Sequence, residues 1–123
     1  MADIIVIDDD PALRGTIRKI LERGGHEVRE AEDGEAGLRR VAEQIPELVI
    51  TDLLMPEKEG IETIMELQEH YPDLPVIALS GAGGADDPGP LTDAELLGAR
   101  ATLPKPFSVE KLLSTVDRVL RGD

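Results

Sequence analysis

Three short runs, Ile4–Ile7, Leu48–Thr51 and Val76–Leu79, are apolar or β-branched at every consecutive position, and longer amphipathic stretches separate them. A strand with one wet face alternates apolar and polar residues. An unbroken apolar run instead marks a strand covered on both faces, the condition inside a parallel sheet flanked by helices. Parallel neighbours cannot be joined by a hairpin and need a long crossover, which the amphipathic stretches supply. Two weaker runs, His26–Ala31, where polar residues surround Val28, and the brief Ala101–Leu103, are expected at the edges of the sheet.

The crossovers carry the helical period. Leu13, Ile17, Ile20 and Leu21 share one face of the first, and Leu38, Val41, Ala42 and Ile45 mark the second, which Pro46 stops. Ile61, Ile64 and Met65 mark the third, ending before Pro72, and Val109, Leu112, Leu113, Val116 and Leu120 mark the last. Asp10 is placed as an N-cap with Pro11 at the first helical position, where a missing N–H costs nothing, and Gly24-Gly25 ends that helix. Ser108 caps the last helix, with Glu110 in its first turn. Residues Gly81–Pro90 (GAGGADDPGP) are too rich in glycine and proline for regular structure and are expected as a loop. The capping-box spacing of Thr92 and Glu95 then predicts a further short helix reaching about Gly98. The expected architecture is α/β: one doubly wound (βα)5 domain over residues 1–123, with neither linker nor internal repeat.

Composition removes several classes of function. There are 26 acidic residues against 13 basic, a formal charge of −13, which disfavours a nucleic-acid backbone as partner. Tyr71 and Phe107 are the only aromatics, too few to stack bases. The chain has no cysteine, so disulfides, thiolate zinc sites and thiol nucleophiles are excluded. No apolar run exceeds four residues, far short of a membrane span or a signal-peptide core. A cytoplasmic protein without membrane or nucleic-acid contacts is expected.

In an open parallel sheet the C-terminal ends of the strands share one edge, and ligands bind there. Asp8 and Asp9 follow the first apolar run, Asp52 the third, Ser80 the fourth and Lys105 the fifth. The fold therefore gathers three carboxylates, a hydroxyl and an ammonium on one rim. Two carboxylates roughly 4 Å apart repel by about 4 kcal/mol at an effective dielectric near 20, so a cation must offset them. A hard divalent ion fits an all-oxygen donor set, and Mg²⁺ in particular takes one or two carboxylates together with water and phosphate oxygens. Lys105 adds a point charge suited to a phosphoryl oxygen. Such a set can accept a phosphoryl group on a carboxylate, because the transfer needs positioning and charge neutralisation above all. Asp52 is the candidate nucleophile.

Four motifs, VIDDDP around the acidic pair, LVITDLLMPEKEG around Asp52, VIALSG around Ser80 and LPKPF around Lys105, occur in this order across nearly the whole chain. With them the chain resembles the receiver domains of two-component response regulators. The resemblance implies a flavodoxin-like five-stranded sheet of order 2-1-3-4-5. It also implies that Asp52 accepts a phosphoryl group from the phosphohistidine of a sensor histidine kinase or histidine phosphotransferase. Asp9, Asp52 and the backbone carbonyl of Leu54 would ligate Mg²⁺, with Asp8 acting through a water. Ser80 and Lys105 would each contact a phosphoryl oxygen, Lys105–Pro106 would be cis, and Met55-Pro56 would shape the loop after the acceptor.

Departures from the family pattern shape further expectations. Thr102 stands three residues before Lys105, where many receivers carry an aromatic ring, so switching by ring rotation is not available here. Ordering of the Gly81–Leu91 loop through Ser80 is expected instead. Leu54 is apolar where many relatives carry a polar group that orients a hydrolytic water, and Ala82 is likewise unable to position one, which implies a comparatively long-lived aspartyl phosphate. A Mg²⁺-dependent aspartyl-phosphate phosphohydrolase would use similar chemistry, but such enzymes of the haloacid-dehalogenase type carry Asp-x-Asp after the first strand and a cap domain. A flavin binder is disfavoured by the two aromatics. Gly81–Gly84 lacks the residues of a phosphate-cradling loop. His26 and His70, without partners at metal-ligand spacing, are expected to be solvated.

Overall fold

Side chains alternate across a strand, so the unbroken apolar runs supply two opposed layers from the same residues. Ile4 and Val6, Leu48 and Ile50, and Ile77 and Leu79 face one way; Ile5 and Ile7, Val49, and Val76 and Ala78 face the other. A computed structural model describes residues 2–52, 60–80 and 98–122. Its elements are β1 (Asp3–Ile7), α1 (Pro11–Arg23), β2 (Glu27–Ala31), α2 (Gly34–Glu43), β3 (Leu48–Asp52), α3 (Gly60–His70), β4 (Val76–Ser80), β5 (Ala101–Pro104) and α4 (Val109–Leu120). The strands form one parallel sheet in the order β2-β1-β3-β4-β5, with the two weaker runs at its edges as expected. Ile17 and Leu21 of α1 and Leu112, Val116 and Val119 of α4 cover the first face. Val41 of α2 and Ile64 and Leu67 of α3 cover the second. The loop expected at Gly81–Pro90 and the short helix expected from Thr92 lie outside the described residues.

The caps expected at Asp10 and Ser108 form, and Asp33, which the sequence reading did not single out, caps α2 by accepting the Ala36 N–H at 2.8 Å. Asp10 accepts the N–H groups of Ala12 and Leu13 at 3.0 and 3.3 Å, and Ser108 accepts that of Lys111 at 3.0 Å. After α1 the chain reverses through Gly25, whose φ of 93° is a conformation open chiefly to glycine.

Four apolar residues depart from the faces assigned to them. α2 ends at Glu43, Gln44 is already extended, and Ile45 is 61% exposed. The ring of Pro46 disfavours a helical conformation in the residue before it, so Ile45 cannot continue the apolar stripe. The buried face of α2 is instead Gly34, Gly37 and Val41, with Ala42 exposed. On α3 the buried set among the described side chains is Thr63, Ile64 and Leu67, which turns Met65 outward to 51% exposure, while the Ile61 side chain lies outside the described set. Val109, at the first turn of α4, is 50% exposed. His26 is not simply solvated: it is half-buried, its Nδ1 accepts the N–H of Ala2 at 3.1 Å, and burial lowers its pKa. His70, exposed at the end of α3, sets its ring edgewise against Tyr71.

Candidate functional site

Register builds the site. β1 and β3 are neighbours with Ile7 opposite Thr51, so the next residues along each strand, Asp8 and Asp52, meet at the C-terminal edge in the middle of the sheet. Asp8 is fully buried, Asp52 is 5% exposed and Asp9 is exposed. Carboxylate oxygens of Asp8, Asp9 and Asp52 lie within 4.8 Å of one another. Lys105 follows β5, two strands from β3, and its side chain reaches back across β4. Its Nζ donates to Asp52 Oδ2 at 3.1 Å and to Asp8 Oδ2 at 3.4 Å. The Lys105–Pro106 peptide is cis.

Asp8 is held from every side. Its N–H donates to the Ala31 carbonyl at 3.1 Å, its Oδ1 accepts the Asp10 N–H at 2.9 Å, and its own carbonyl accepts Nη1 of Arg14 at 2.8 Å. Even so, burial raises the Asp8 pKa above the ordinary carboxylate value, reinforced by the charge of Asp52 and opposed by the Asp10 N–H and Lys105. Burial alone would weaken the Lys105 charge, but the hydrogen bond to Asp52 and the charges of Asp52 and Asp8 outweigh it. Its pKa is raised, and the ammonium is secure at neutral pH.

The four charged residues singled out in the sequence therefore come together. Ser80 ends β4 opposite Pro104, at the same edge of the sheet, and its side chain lies outside the described set. Leu54, Met55 and Pro56 also lie outside it. Thr102 is half-buried on β5 and paired with Ala78. Sequence reasoning missed Arg14. On the helical wheel it is one of several polar positions of α1, and only the fold reveals that it faces the end of β1.

Three carboxylates beside one ammonium leave two negative charges in excess, in a place where burial already opposes the charge on Asp8. An all-oxygen donor set with that imbalance fits a hard divalent cation.

A family model described as the response regulator receiver domain matches residues 4–117. Response regulator MprA of Mycolicibacterium vanbaalenii is 36% identical over 118 residues, covering 96% of this chain and 50% of that protein. MprA of Mycobacterium leprae is 35% identical over the same length. The chain thus spans about half the length of the curated relatives it matches. Among solved structures, the receiver domain of NtrX from Brucella abortus superposes with a TM-score of 0.91 at 30% identity, covering 98% of this chain and all of that one. The chemotaxis protein CheY4 of Vibrio cholerae gives 0.88 at 29% identity, covering 97% and 98% of the two chains. Receiver domains generally bind Mg²⁺ and interact with histidine kinases, and they are signalling domains. The motifs, the strand order and these likenesses agree, and the chain belongs to the response regulator receiver family.

Proposed function

We propose that residues 1–123 form one receiver domain that accepts a phosphoryl group on Asp52 and thereby switches its binding to a downstream protein. The donor is the phosphohistidine of a sensor histidine kinase or histidine phosphotransferase. A carboxylate oxygen of Asp52 attacks phosphorus as the phosphorus–nitrogen bond breaks, and the electron pair leaves with the imidazole. Asp9, Asp52 and the Leu54 carbonyl would hold Mg²⁺, with Asp8 acting through a water. The bound ion supplies positive charge against the acids and the transferring oxygens. Lys105 orients Asp52 before transfer and afterwards pairs with a phosphoryl oxygen, and Ser80 hydrogen-bonds another. The domain catalyses only its own phosphorylation and dephosphorylation and acts in the cytoplasm; no described helix is long and apolar enough to cross a membrane. Leu54 and Ala82 orient no hydrolytic water, so the phosphate is long-lived.

The observation that carries this reading is the ammonium of Lys105, 3.1 Å from Asp52 Oδ2, beside three converging carboxylates. Incubation with acetyl phosphate and Mg²⁺ should add one phosphoryl group, about 80 Da, per chain, and Asp52→Asn should abolish the gain. Continuous release of phosphate without a stoichiometric adduct would favour the phosphohydrolase.

A further inference from the structure

Arg14 lies in the first half of α1, only 18% exposed in its side chain, and its guanidinium spans three elements. Nη1 donates to the carbonyl of Asp8 at 2.8 Å, and Nε donates to Glu30 Oε1 on β2, also at 2.8 Å. The other oxygen of Glu30 accepts Nη1 of Arg18 at 2.9 Å. Both oxygens of one carboxylate are thus taken by two arginines of the same helix, and the Arg14 fork is fixed in direction.

We propose that Arg14 is a positioning residue for the acidic site, fixing through the Asp8 carbonyl the turn that carries two of the three carboxylates. The inference rests on reading Asp8, Asp9 and Asp52 as the cation site. The Asp8 carbonyl belongs to the peptide plane joining Asp8 to Asp9, so a bond that stops this plane from rotating also sets the direction of Asp9. Asp9 is exposed and has little packing of its own, and its placement depends on that backbone. Asp8 is differently secured, by burial and by Ala31, Asp10 and Lys105. Arginine suits the task because its nitrogens are held in one plane and serve two partners at once; a lysine ammonium is a single point on a flexible stem. The arrangement is an outer layer of support, a kind of contact whose loss commonly weakens metal affinity by about 10- to 100-fold.

The test combines calorimetric Mg²⁺ titration with acetyl phosphate labelling across a Mg²⁺ series. Arg14→Met, which keeps the apolar stem, should weaken Mg²⁺ binding on the order of tenfold. Its labelling rate at saturating Mg²⁺ should stay within about twofold of wild type, because Asp52 and Lys105 are untouched and a loosened turn is re-formed by the bound ion. Arg14→Lys should fall between, and Glu30→Gln should shift affinity in the same direction but less. A lower melting temperature with unchanged Mg²⁺ affinity in Arg14→Met would reduce Arg14 to a stabilising residue and overturn the proposal. If Arg14→Met does not fold, unchanged Mg²⁺ affinity in Arg14→Lys overturns it equally. Wild-type protein that takes no phosphoryl group but loses Mg²⁺ affinity with Arg14 would refute the function proposed above and leave this inference standing.

Discussion

Asp8 is hydrogen-bonded through its N–H, its carboxylate and its carbonyl, yet burial, reinforced by the charge of Asp52, opposes its ionisation more than the Asp10 N–H and Lys105 favour it. A group whose pKa is raised by folding stabilises the protein while protonated, and that contribution is lost as pH rises through the folded-state value. In EDTA, Asp8→Asn and wild type should therefore have similar urea midpoints in acid, with the variant becoming the more stable as pH rises to neutrality. Asn keeps an oxygen for the Asp10 N–H, and Lys105 keeps Asp52. The same variant should bind Mg²⁺ on the order of tenfold more weakly, since an outer-layer partner is lost. Urea titrations at a series of pH values check the first claim; a variant less stable than wild type at neutral pH would contradict it. At this scale the site was largely legible in advance, because Asp8, Asp9, Asp52 and Lys105 are tied to strand ends that the apolar runs define. Arg14 was not. Its role depends on which way one polar position of a helix points, and on Glu30, a strand residue 16 positions later that no local pattern links to it.

Among the elements, α2 shows how close packing is written in small residues. Gly37 lies against Ile7 of β1, and a Cβ built at position 37 would collide with Ile7 Cδ1 and come within 2.7 Å of Cγ1. The absence of a side chain at 37 is what lets the helix approach the second face of the sheet. Gly37→Ala should destabilise the fold by about 1–3 kcal/mol despite alanine's better helix propensity, because overcrowding outweighs a propensity gain of under about 1 kcal/mol. Ile7→Ala alone should cost about 2–5 kcal/mol through the space it opens. The double variant should be more stable than the sum of the two, since the added methyl then fills room that Ile7 vacated. Additive urea midpoints would show that the contact does not limit the packing. The helix-face pattern around Leu38, Val41, Ala42 and Ile45 concealed this arrangement. It counted apolar side chains, whereas this face is lined with glycine and a valine, and it ran on to Ile45, whereas the helix ends at Glu43, ahead of Pro46. The edge strands were legible for the converse reason: β2 and β5 each have one neighbour in the sheet, and their sequences show weaker demands for burial.

Over the whole molecule, 26 acids against 13 bases give a charge of −13, and the compact fold concentrates that charge. Self-repulsion of this kind is long-range. It should weaken as the screening length falls from about 30 Å at 0.01 M salt to about 8 Å at 0.15 M, so the melting temperature should rise with NaCl in EDTA. A site-bound cation adds a separate contribution that depends on occupancy rather than on ionic strength. At tenfold excess of Mg²⁺ over its dissociation constant the added stability is about 1.4 kcal/mol, or roughly 4–6 °C for a chain of this length. At matched ionic strength MgCl₂ should therefore raise the melting temperature above NaCl by that amount. Asp9→Asn distinguishes the two effects, because it changes the net charge by only one unit yet removes one of the three converging carboxylates. In that variant the NaCl response should persist and the MgCl₂ excess should largely disappear. An excess that survives in Asp9→Asn would mean that Mg²⁺ acts through the general field of the protein, and the convergence of carboxylates at the end of the sheet would then have no part in its binding.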